Sequence, residues 1–115
     1  MNKKFRLSAD EIGTVATGHG SCFASDHITV EGRKVGFMYR EAPDNELDSG
    51  WRFLSGLETQ EYLDDPDHLS IYDVNTIANY DASIAKHLTA SVGSAFAKAK
   101  SGEFIEEAAP SDPDA

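Results

Sequence analysis

A chain of 115 residues with 40 % hydrophobic and 26 % charged residues has the size and composition of one globular domain, and its single Cys22 excludes an internal disulfide and a Cys-rich zinc site. The balance of 20 Asp and Glu against 10 Lys and Arg leaves a net charge of -10, which repels nucleic acid and phosphorylated ligands and favours a basic partner surface or a divalent cation. No stretch approaches the roughly 20 apolar residues of a helical membrane span, and residues 1–11 hold no apolar run of signal-peptide length, so a cytoplasmic protein that leaves membranes alone is expected.

In chain order, Ser8-Ala9-Asp10-Glu11 reads as a capping box, with Leu7 and Ile12 as its hydrophobic staple, so a short helix is predicted to start at Ala9. Residues 22–30 alternate, with Ile28 and Val30 on one face and His27, Thr29 and Glu31 on the other, which predicts a half-buried strand. With a turn at Gly32 and a second alternation of Val35, Phe37 and Tyr39 against Gly36, Met38 and Arg40, a β-hairpin is expected. Residues 42–50, rich in Pro, Asn, Asp and Gly, predict an exposed loop leading into a strand from Trp51 to Leu54.

Further on, residues 58–63 predict a brief helix stopped by Asp65-Pro66, because the proline ring disfavours helical geometry at the residue before it. Residues 71–78 read as another strand. Asp81 is placed to cap a helix carrying Ile84, Ala85 and Leu88, and residues 92–98 and 103–107 predict a last hairpin around Ser101-Gly102. Short strands with isolated helices and no regular βαβ alternation argue for one α+β domain over residues 1–107, built on a mostly antiparallel sheet, followed by a disordered acidic tail over 108–115.

The charge is local. Residues 41–81 hold eleven of the carboxylates against one cation, Arg52, together with the only tryptophan, Trp51, whereas outside this block nine carboxylates meet nine cations. Within it, Asp44, Glu46 and Asp48 alternate as a calcium loop begins, but the glycine and bidentate glutamate that such a loop wants fall on Ser49 and Ser55. Asp64, Asp65, Asp67 and His68 are oxygen-rich without a defined ligand geometry. Neither cluster predicts a metal site, and no cofactor motif is present: Gly18-His19-Gly20 lacks a third glycine, since position 23 is Phe. His19, Cys22 and His27 carry the residue types of a thiol nucleophile, which needs a neighbouring base or cation, but a cysteine opening a strand more often packs as a small buried side chain.

Trp51 and Arg52 admit two readings. If Trp51 faces the core, Arg52 points the other way and pairs with a carboxylate of the acidic loop. In the alternative, Trp51 is a partly exposed interface anchor. Asp73 and Asn75 orient a ligand or bond turn and helix-end amides, and Asp81 suits a helix cap.

Two strings, Tyr39-Arg40-Glu41-Ala42-Pro43-Asp44-Asn45-Glu46-Leu47-Asp48-Ser49-Gly50-Trp51-Arg52-Phe53-Leu54-Ser55-Gly56 and Ile71-Tyr72-Asp73-Val74-Asn75-Thr76-Ile77-Ala78-Asn79-Tyr80-Asp81, resemble the immunity protein 33 domain family. The likeness continues through Val92-Gly93-Ser94-Ala95-Phe96 and spans roughly residues 22–106. The resemblance implies an α+β fold and a bacterial protein that neutralises a toxin of a polymorphic toxin system. It brings no catalytic residues with it.

Joined to the charge map, it implies a non-enzymatic protein that binds a protein partner, such as a basic nuclease toxin, through Asp44, Glu46, Asp48, Trp51, Arg52, Tyr72, Asp73 and Asn75. A small-ligand or divalent-metal module ranks second and a small hydrolytic enzyme last.

Overall fold

A computed structural model describes residues 3–107; the tail expected over 108–115 lies outside the described residues. Strands β1 (Ser21–Ser25), β2 (Phe37–Arg40), β3 (Asp48–Leu54), β4 (Leu69–Asp73), β5 (Ala95–Lys98) and β6 (Phe104–Glu107) form one sheet in the order β4-β1-β3-β2-β5-β6. Among the described residues, only the β1–β3 pair is parallel. Helices α1 (Asp26–Thr29), α2 (Gln60–Leu63) and α3 (Val74–Tyr80) are joined by 3-10 turns at Ala9–Glu11, Pro66–His68 and Ala82–His87. The α+β class with a mostly antiparallel sheet is therefore as the sequence indicates.

Two expected strands are too long, for one reason. Each ends in a residue that caps a helix with no loop between. Ser25 Oγ accepts from the amide of His27, and Asp73 Oδ1 accepts from the amide of Asn75, so β1 turns directly into α1 and β4 into α3. The alternation read through Val30 is chance agreement of a short helix with a period of two, and the strand read over residues 71–78 likewise runs on into α3.

The hairpin expected at Gly32 also does not form: β1 lies between β3 and β4, while β2 pairs with β3 and β5. By contrast, the short element after Ser8, the helix before Asp65-Pro66, the Asp81 cap and the β5–β6 hairpin all stand where the sequence places them.

Alternation along the strands sorts side chains onto two faces. The registers Ala24↔Phe53, Met38↔Phe53 and Met38↔Phe96 set these residues in one row. With Cys22 and Trp51, they pack against Ile28 of α1, Val74, Ile77 and Ala78 of α3, and Ile84 and Leu88 beyond it. Most polar groups inside this layer are satisfied, His87 Nε2 being the exception among the described residues. Asp81 accepts from the amides of Val35 and Ser83, both at 3.1 Å, from the Ser83 hydroxyl and from Lys98, tying the last 3-10 turn to β5. The Trp51 indole N–H donates to the Leu88 carbonyl at 3.2 Å.

On the other face lie Phe23, Phe37, Tyr39, Arg52, Leu54, Leu69 and Ile71, as the registers Phe23↔Arg52, Tyr39↔Arg52, Phe37↔Leu54 and Phe23↔Ile71 require. None of them joins the core cluster. Helices α1 and α3 thus occupy one side of the sheet, and apolar side chains remain on the other.

Candidate functional site: the open sheet face

The open face is organised around Arg52. Its Nη1 and Nη2 donate to Asp48 Oδ1 and Oδ2, each at 2.9 Å, in a bidentate pair, and Nε donates to Glu41 Oε2 at 2.5 Å. Nη1 also donates to the Trp51 carbonyl at 3.1 Å, and Asp44 Oδ2 lies 3.9 Å from Nη2. The guanidinium sits 4.6 Å from the centre of the Phe23 ring. Burial alone would lower the Arg52 pKa, but the hydrogen bonds to Asp48 and Glu41 outweigh it and hold the guanidinium above its ordinary value. The same bonds from Arg52 hold the Asp48 carboxyl well below the usual carboxylate range against the opposing pull of burial.

Asp48 does more than pair. It accepts from the amides of Asp44 and Gly50, both at 2.9 Å, while Asn45 Oδ1 accepts from the amide of Leu47 at 2.9 Å and that of Asp48 at 3.2 Å. The acidic loop is thus held in one conformation by its own side chains. Gly50 permits the close return: with φ of 89° it takes a left-handed conformation, and a Cβ there would stand 2.2 Å from the Glu41 carbonyl oxygen. The exposed loop expected over 42–50 therefore ends early, since Asp48, Ser49 and Gly50 are buried and already belong to β3.

Beside the Arg52 cluster, Phe23, Tyr39, Leu54 and Leu69 wall a hollow of about 220 Å³ that also reaches Glu41 and Arg52. A second hollow, toward the β4 edge, is lined by Gly20, Ser21, Leu47, Ile71, Tyr72 and Asp73. Leu47 is 78 % exposed and Ile71 65 %. Both are large apolar side chains left open to solvent, at a hollow that Asp73 also lines.

The residues named from the sequence fall into different environments. Asp44 and Glu46 are exposed on the loop beside the open face. Asp48 and Arg52 are buried in their mutual pair and hold the loop. Trp51 is fully buried, which corrects its reading as a partly exposed anchor: strand alternation turns it into the core. Tyr72 is half-buried, its hydroxyl 3.0 Å from Thr29 Oγ1 and its ring edge-on to Phe5. Asp73 caps α3. Asn75 clamps the preceding loop: its Oδ1 accepts from the amides of Val15 and Ala16, and its Nδ2 donates to the Gly13 carbonyl.

The acidic block also divides. Ser21 pairs with both Asp48 and Asp73, so Glu41, Asp44, Glu46, Asp48 and Asp73 gather at one end of the sheet. Residues 58–67, which link the far end of β3 to the start of β4, carry Glu58, Glu61, Asp64, Asp65 and Asp67 to the other end, and Asp81 is buried on the helix side.

Phe23, Tyr39, Glu41, Leu54 and Leu69 are the site residues that sequence reasoning missed. The usable signal was the pairing of Arg52 opposite Trp51: once one faces the core, Tyr39 and Leu54 fall on the face of the other.

The thiol chemistry weighed for Cys22 finds little support in this geometry. Cys22 is buried in the core and desolvation pushes its thiol well above the ordinary value, away from the thiolate form. Among the described residues, no three His, Cys, Asp or Glu side chains are grouped to hold a metal ion.

The family model of the immunity protein Imm33 domain matches residues 22–108, which takes in all of the sheet except Ser21, the first residue of β1. No curated protein and no solved structure matches the chain.

Proposed function

Because the chain belongs to the Imm33 immunity protein family, whose members are implied to neutralise a toxin, we propose that it acts without catalysis, by seating its cognate toxin on the open sheet face. The observation that supports this most is the one-sided layering: helices and core on one side, and on the other a row of apolar side chains beside Glu41, Asp44 and Glu46. In this reading the exposed carboxylates speed encounter with a basic toxin surface. Phe23, Leu47, Leu54 and Ile71 then exclude water and set the residence time.

A nuclease is the toxin class that this charge suits, because its cleft is built for phosphates and the loop carboxylates can stand in their place. For such a toxin the place of action is the cytoplasm, where its substrate lies.

The test is a paired capture from lysate of the native host, using the wild-type chain and the Leu47→Arg, Ile71→Arg double variant as baits. A protein held by the wild type and released by rising salt, lost from the double variant, toxic when expressed alone and harmless when co-expressed with the wild-type chain would support the reading. A toxic partner held equally by both baits would refute the open face as its seat.

A further inference from the structure

Resting on the docking reading above, we propose that the hollow walled by Phe23, Tyr39, Leu54 and Leu69 receives an arginine side chain of the toxin, whose guanidinium pairs with Glu41 and Asp44. Size makes the first argument. At about 220 Å³, the hollow falls below the roughly 300–1,000 Å³ of sites that enclose a drug-sized ligand, and it suits a single side chain.

Charge makes the second. Glu41 and Arg52 line the hollow, and the Arg52 guanidinium is met by three carboxylates, Glu41 and, behind it, Asp44 and Asp48, so the cluster carries an excess of negative charge. That excess sits where a partner can reach it: the Glu41 and Asp44 side chains are 51 % and 69 % exposed, whereas Arg52 is 6 % exposed and Asp48 4 %. An anionic occupant is disfavoured, because the Arg52 fork is already spent on both Asp48 oxygens and its Nε on Glu41.

The occupant must therefore be a cation with an apolar stem, to lie along Phe23, Leu54 and Leu69 with its head at the carboxylates. Glu41 and Asp44 flank one guanidinium already, from its Nε and Nη2 sides. A second planar guanidinium can bridge the same two acids and stack on an aromatic wall, which a compact ammonium cannot do.

The experiment is an NMR titration of the ¹⁵N-labelled chain with the capped tripeptide acetyl-Gly-Arg-Gly-amide, its lysine counterpart and its citrulline counterpart, which keeps the shape and removes the charge. The expected result is saturable shifts at Phe23, Glu41, Arg52 and Leu54 with the arginine peptide, weaker binding of the lysine peptide, and binding at least about tenfold weaker for citrulline. In the Glu41→Gln, Asp44→Asn double variant the arginine peptide should lose a similar factor while urea unfolding remains one cooperative transition, since the amide oxygen at position 41 can still accept from Arg52 Nε.

Equal binding of arginine and citrulline would overturn the proposal. So would arginine shifts that climb without saturating and spread to Asp64, Asp65 and Asp67 at the other end of the sheet. The titration uses no toxin, so a silent hollow leaves the docking reading standing, whereas a filled hollow with no toxin on the open face would fail that reading alone.

Discussion

Trp51 and Arg52 are consecutive in β3, yet Trp51 lies in the dry layer between Phe53, Phe96 and the Leu88 carbonyl, while Arg52 lies on the open face under a net of carboxylates. On the helix side, apolar volume fills the space and the polar groups, His87 Nε2 apart, are closed off by hydrogen bonds. On the open side, a buried ion pair holds a loop in place and leaves apolar side chains and two carboxylates facing outward. In β3, Trp51 and Phe53 therefore face the core and Arg52 and Leu54 the open side, and on the proposed reading this division predicts which substitutions unfold the protein and which disarm it.

The largest effect is expected at Trp51. Trp51→Ala removes a fully buried ring and leaves the Leu88 carbonyl without its donor, which should lower stability by about 4 kcal/mol in urea unfolding. Arg52→Ala should follow at about 3 kcal/mol, because it strands the buried Asp48 carboxylate. A double-mutant cycle with Asp48→Ala sharpens the comparison: the pair should couple by more than about 1 kcal/mol, whereas Trp51 and Asp48, on opposite faces, should come close to additive.

A pH series should separate the two sides again. On the helix side, burial and then Lys86 depress the His87 pKa, and its Nε2 has no hydrogen-bond partner. A depressed histidine contributes stability that is present above its unfolded value near about 6.5 and is lost as pH falls through the folded value. On the open side, Asp48 is depressed by Arg52, so its contribution is present above an unfolded value of about 3.9 and is lost only below that. The unfolding midpoint should first fall below about pH 6.5, a step that His87→Phe removes, and fall again below about pH 4, a step that shrinks in Arg52→Ala. A single acid transition unaffected by either substitution would contradict this assignment. The smallest stability effect belongs to Ile71→Arg, within about 0.5 kcal/mol, since 65 % of that side chain is already in water.

Much of this division was legible in the residues. The loop signals of residues 42–50 led to a strand at Trp51 to Leu54, the latter part of β3, the capping signals at Ser8 and Asp81 were sound, and the β5–β6 hairpin followed from a turn at Ser101-Gly102. What failed was either very short or very long in range. Four residues of α1 cannot announce a helical period, and Ser25 and Asp73 as caps look no different from strand residues until the chain bends after them. The pairing of β1 with β3 and β4 depends on contacts far apart in sequence, which no local pattern encodes.

The acidic block misled in the same way. Contiguous in the chain, it splits between the two ends of the sheet, and Asp48, read as a surface carboxylate, is the anchor of Arg52. Glu41 gave no signal of its own, and its importance comes from where β2 ends relative to β3.

The measurement that bears most directly on the two-faced account is a calorimetric titration of the captured toxin into three proteins: the wild type, Leu47→Arg with Ile71→Arg on the open face, and Ala82→Arg as an added cation on the helix side. The account predicts that the open-face variant loses at least about 100-fold in affinity with its urea midpoint nearly unchanged, while Ala82→Arg binds as the wild type does. Wild-type affinity in the open-face variant, or its loss in Ala82→Arg alone, would contradict the account.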